Sequence, residues 1–78
     1  MQNVKDNEFL RLLGNRIRIL RKQKGYTQEQ LAAQFDNHGE QIGRIERGEL
    51  NVSICTLKKI AEGLEIELSE LLVVKFTL

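Results

Sequence analysis

Arg44 stands four residues after Glu40 and three before Arg47 in the run His38 to Arg47, so on a helix all three project from one side. A guanidinium is a rigid fork of donors that fits a carboxylate, a phosphate or the paired acceptors of a base edge. Such a face can pair within itself, Glu40 with Arg44 in the plainest case, or it can meet a polyanion. The residues for other chemistry are missing. One His and one Cys, His38 and Cys55, are too few for a metal centre or an internal disulfide. No nucleophile–base pair, carboxylate pair in a cleft or phosphate-cradling glycine loop is present, so neither an enzyme nor a cofactor is expected.

The chain has 78 residues, 41% hydrophobic and 29% charged, which suits one folded domain and excludes a two-domain enzyme. No run approaches the length of a membrane span, and MQNVKDNEFL lacks the pattern of a signal peptide, so a cytoplasmic protein without membrane contact is expected. The net charge of +1 conceals an asymmetry. Arg11 to Lys24 holds six basic residues and no acid, whereas Glu62, Glu65, Glu67 and Glu70 gather near the end. Local fields, not totals, decide what a charged ligand meets. A basic helix face that is merely solvated gives the same pattern.

These side chains need elements to carry them. Leu10, Leu13, Ile17 and Leu20 recur at spacings of three and four in Asn7 to Lys24, one stripe of an amphipathic helix closed by Gly25. Arg21 falls at the edge of that stripe, while Arg11, Arg18 and Lys22 lie opposite. Thr27 to Gln30 fits a capping box and opens a second helix with Leu31, Ala32 and Phe35 on its inner side, ending before Asp36-Asn37. His38 to Arg47 is the third helix, with Ile42 and Ile45 inward, Glu46 at the stripe edge and Gly48 as its stop. Ser53 caps a fourth that buries Leu57, Ile60, Ala61 and Leu64. After Gly63 and Leu64 the phase resets. A fifth helix begins at or before Ser69 and runs through Leu72, and Val73 to Leu78 turns to strand-like alternation.

A small residue at Ala32 permits a close helix crossing, and a tight turn into a helix with a polar outer face is the helix-turn-helix arrangement. Its first-turn amides, at Gln28 and Glu29, suit a phosphate, and its second helix offers side chains to base edges in a major groove. The segments TQEQLAAQF, IGRIERG, S-I-x-T-L-K-K-I-A-E-G-L and ELSELL, in that order, resemble the helix-turn-helix domain of the phage-repressor and Cro superfamily, the XRE family. The resemblance spans Leu13 to Leu72. It implies an all-α, compact five-helix lambda-repressor-like DNA-binding domain over residues 1–72. The alternation of residues 73–78 reads separately as a short extended tail that pairs with a second copy, and the rival is a continuation of the fifth helix with Leu71, Leu72 and Phe76 on the core. The resemblance also implies that Gln28 binds a backbone phosphate, that Gly39, Glu40, Gln41 and Arg44 occupy base-reading positions, and that Gly43 permits close approach. Arg47 falls beside the phosphates, Thr27 and His38 flank the contact surface, and Arg21 pairs with Glu46 in the interior.

Several positions depart from the family pattern. Asp36 replaces the usual turn glycine, His38 the usual Ser or Thr cap, Leu50 a common basic residue and Val52 a common proline. Gly39 leaves one base-reading slot without a side chain. Glu40 can accept from cytosine N4, and Arg44 can make the bidentate contact with guanine O6 and N7. The expected activity is that of a sequence-specific transcriptional regulator, a homodimer on an inverted repeat of double-stranded DNA in a bacterial or phage setting. An antitoxin-like module that binds a protein partner is the alternative.

Overall fold

The computed structural model describes residues 6–34 and 39–74. Five helices follow one another: α1 (Asn7–Lys24), α2 (Gln28–Ala32), α3 (Gly39–Glu46), α4 (Ile54–Leu64) and α5 (Leu68–Leu71); no strand occurs among the described residues. The Asp6 carboxylate accepts from the Phe9 amide at 2.9 Å and starts α1. Thr27 and Gln30 form the reciprocal capping box of α2, with bonds of 2.8 and 3.0 Å. Ser53 Oγ accepts from the Thr56 amide at 3.1 Å and starts α4.

α1, α3 and α4 end the same way, in a left-handed residue at Gly25, Gly48 and Glu65 with φ of 82°, 75° and 60°. In each the following amide reaches back five residues, Tyr26 to Arg21, Glu49 to Arg44 and Ile66 to Ala61, at 3.0–3.1 Å. Two of these turns use glycine as expected. The third places a glutamate in the left-handed region, while the nearby Gly63 lies inside α4, where a Cβ would come within 3.1 Å of Leu31 Cδ1 and 3.2 Å of Gln34 Cβ.

α1 packs on α3, α4 and α5, and α2 on α3 and α4. Leu13, Ile17, Leu31, Ile42, Ile60, Leu64 and Leu71 fill the centre with almost no exposure, each burial favouring the fold by about 1.5–3 kcal/mol. Gly14, in the middle of α1, is where α1 crosses the end of α3. A Cβ there would run into the Ile45 and Glu46 carbonyls. At the other end Arg16 donates from Nε and Nη2 to the Glu70 carbonyl, at 3.2 and 2.9 Å, and ties α5 to α1.

The element boundaries differ from the expected ones by single turns. α2 closes at Ala32 with Ala33 as its cap, and α3 spans Gly39–Glu46 with Arg47 as a half-helical exit residue. α5 begins at Leu68, where the Glu67 amide donates to Glu70 Oε1 at 3.2 Å ahead of Ser69, and Leu72 is its cap. Phe35, the Asp36-Asn37 turn and His38 lie outside the described residues. So does the predicted tail strand beyond Val74, whose amide donates to the Leu72 carbonyl at 2.9 Å.

Candidate nucleic-acid interface

One carboxylate joins the first three helices. Glu46, from α3, receives Arg21 Nε on Oε2 at 2.6 Å and Arg21 Nη2 on Oε1 at 3.0 Å. Oε1 also accepts from the Gln28 side-chain amide of α2 at 3.1 Å. Arg21 sends its remaining nitrogen, Nη1, to the Tyr26 carbonyl at 2.7 Å. Arg21 and Glu46 are only 7% and 8% exposed, so the pair is bidentate, nearly dry and fully bonded. Among the described residues no buried side-chain polar atom lacks a partner. The stripe-edge positions of Arg21 and Glu46 become a buried lock because the α1–α3 crossing at Gly14 brings the two edges together.

This lock fixes the outer face of α3. Glu40, Gln41 and Arg44 are exposed and, with Leu50, line an open depression of about 310 Å³. Gly39 faces α2, where a Cβ would stand 2.9 Å from Glu29 Cγ and 3.1 Å from its Cα, so a small residue is needed there. Gly43 is buried beneath the Gln28 amide, with a Cβ position 3.1 Å from Oε1 and 3.3 Å from Nε2. The protein's own Gln28 already lies close to Gly43. Thr27 is exposed but its hydroxyl serves the cap.

Arg47 and Arg44 share a partner that the sequence did not single out. Arg47 Nε donates to Glu49 Oε2 at 2.8 Å and Nη2 to Oε1 at 3.4 Å, while Arg44 Nε lies 3.7 Å from Oε1. The carboxylate beside Arg44 is thus Glu49, beyond the helix end, and not the Glu40 that i,i+4 spacing suggests. Hydrogen bonding from Arg47 holds the Glu49 carboxyl below the usual carboxylate range, and the same bond raises Arg47. The only sequence signal for Glu49 is its place directly after the Gly48 stop. Neither Gly14 nor Arg16 carries a sequence signal for its role, since a lone helical glycine does not announce a crossing and the partner of Arg16 is a backbone carbonyl.

Among the described residues no three potential metal ligands cluster, and no helix is long and apolar enough to cross a membrane. The fold and the α2–α3 unit define a helix-turn-helix domain of the XRE type, and the chain belongs to the helix-turn-helix family, which it matches over residues 17–71. Its relatives are regulators. It is 43% identical over 61 residues to the HTH-type transcriptional regulator SlrR of Bacillus subtilis, covering 77% of this chain and 40% of that protein's length. Control protein C.BamHI of Bacillus amyloliquefaciens is 37% identical over 67 residues, 85% of this chain and 83% of its own. The restriction-modification controller protein C.AhdI of Aeromonas hydrophila has a similar structure, with a TM-score of 0.80 and 40% identity over 83% of this chain and 94% of that one.

Proposed function

We propose that this chain is a sequence-specific DNA-binding transcriptional regulator that acts as a homodimer on an inverted-repeat operator, with no enzymatic activity and no cofactor. The observation that carries the proposal is the exposed Glu40–Gln41–Arg44 face of α3, held rigid from behind by Arg21, Gln28 and Glu46. The likeness to transcriptional regulators and controller proteins supports it.

α3 enters the major groove, where Arg44 donates to guanine O6 and N7, Glu40 accepts from cytosine N4 and Gln41 reads a neighbouring base. Gln28 has two amide hydrogens, one engaged by Glu46, and offers the other to a phosphate. Arg47 contributes a second backbone contact, Gly39 brings main chain near the bases, and Thr27 and His38 border the surface. Operator binding hinders or recruits polymerase in the bacterial cytoplasm. The longest dimension of the described chain, 35 Å, lets one copy cover one groove face, and a second copy engages the next about 34–36 Å away. Ile19, Leu72 and Val73 are exposed apolar residues close to where the tail leaves the domain, which supports pairing of two copies there.

Selection of bound sequences from random duplexes tests the proposal. The expected result is a two-fold symmetric site, with Arg44→Ala losing about 1–3 kcal/mol of preference at one base pair per half-site. Failure to enrich any sequence, together with protein binding that is insensitive to salt, would favour the antitoxin-like alternative.

A further inference from the structure

Glu49 has no part in the contacts just assigned, yet it occupies the guanidinium edges of two residues that do. Its position is set by the backbone. Gly48 turns left-handed against Arg11, and the Glu49 amide donates to the Arg44 carbonyl at 3.0 Å, which folds residue 49 back over the last turn of α3. The carboxylate takes two bonds from Arg47 and lies 3.7 Å from Arg44 Nε. All three side chains are about half exposed. Exposed pairs contribute little net stability, so this cluster can exchange partners.

We propose that Glu49 is a specificity-determining residue that acts through Arg44 and Arg47, as an internal competitor for the groups they would give to DNA. The inference rests on the proposal that α3 meets DNA. Binding to an arbitrary duplex depends on neutralised phosphates, and here both arginines must leave a carboxylate that itself repels the backbone. In a cognate complex Arg44 moves to uncharged guanine acceptors in the groove, and Glu49 is left opposing the backbone contact of Arg47 alone. Glu49 therefore weakens binding to every sequence and weakens it most where no guanine awaits Arg44.

The test compares wild type with Glu49→Gln by fluorescence anisotropy over a salt series, against a random-sequence duplex pool and against the duplex recovered by selection. Glu49→Gln should tighten pool binding by about three- to tenfold at low salt and steepen its salt slope by about one, with a smaller gain on the selected duplex. Glu49→Ala should steepen the slope equally, which assigns the effect to charge and not to contacts of the new amide. Unchanged pool affinity and slope in both variants would overturn the proposal. Weaker binding to both duplexes would overturn it too, in favour of a carboxylate that merely orients the arginines. If wild type binds neither duplex in a salt-dependent way, the DNA-binding function itself fails and takes this inference with it.

Discussion

Two arginine–glutamate pairs meet at the C-terminal end of α3 and share almost the same short geometry, Arg21 Nε to Glu46 at 2.6 Å and Arg47 Nε to Glu49 at 2.8 Å. Exposure to water distinguishes them. The first pair lies in the interior with a third and a fourth hydrogen bond around it, and the second stands half exposed in solvent. Breaking the first strands a charge where nothing can hydrate it, and breaking the second only hands each group to water. Distance alone therefore says little about what an ion pair does. Burial decides whether it acts as a rivet between helices or as a contact that a ligand can take over.

The largest expected effect is on the interior pair. Arg21→Ala or Glu46→Ala should each destabilise the domain by about 3–5 kcal/mol, read by chemical or thermal unfolding, while Arg18→Ala on the solvent face stays within about 0.5 kcal/mol. Replacing both partners at once, Arg21→Met with Glu46→Leu, should destabilise less than the sum of the two alanine changes, because no lone charge remains. Three single variants with equal melting temperatures would erase the contrast between the two pairs.

Next comes the crossing that brings the interior pair together. Gly14→Ala should destabilise by about 1–3 kcal/mol, since its methyl must push the Ile45 and Glu46 carbonyls away. Gly25→Ala faces nothing within 4 Å and should lose only its left-handed backbone freedom, about 1 kcal/mol. A larger loss at Gly25 than at Gly14 would mean that α1 and α3 can separate without strain.

The smallest effects belong to the solvent-exposed pairs. Lys24 Nζ meets Glu65 Oε1 at 2.9 Å, and this hydrogen bond lowers the Glu65 carboxyl and raises Lys24. A depressed carboxyl contributes stability above its ordinary range and loses it as pH falls through the lowered folded value. The small melting-temperature gap between wild type and Glu65→Gln should accordingly be present at neutral pH and close in acid; Glu49→Gln should follow the same course. A gap that widened in acid would reverse the assigned direction.

Much of the interior was legible in the residues because helical periodicity is local. Leu13, Ile17, Ile42, Ile45, Ile60 and Leu64 fall on stripes that the spacing alone identifies, and Arg21 and Glu46 stand at the stripe edges where a buried pair can form. What could not be read is what the turns and crossings decide. The bond from Gln28 to Glu46 joins residues 18 apart in sequence, and it depends on how α2 leans on α3. Glu49 stands just past the Gly48 stop with no periodicity to mark it, and only the turn at Gly48 folds it onto two arginines. Glu65 carries no such sign, because the usual mark of a left-handed helix stop is a glycine and the nearby Gly63 lies within the helix, packed on Leu31 and Gln34. Gly39 looked like an omission from the outer face, whereas Glu29 leaves no room there for a side chain.

The shared use of Glu46 Oε1 by Arg21 and Gln28 has a consequence for timing. A glutamine at a surface ordinarily samples many rotamers and must surrender them when a partner arrives, at a cost of about 0.5–1.5 kcal/mol for a long side chain. Here that loss of freedom is incurred when the chain folds. If Gln28 binds a phosphate as proposed, it meets it already held by Glu46, so less of its freedom remains to be lost on association, and the benefit should appear as a longer-lived complex more than a faster encounter.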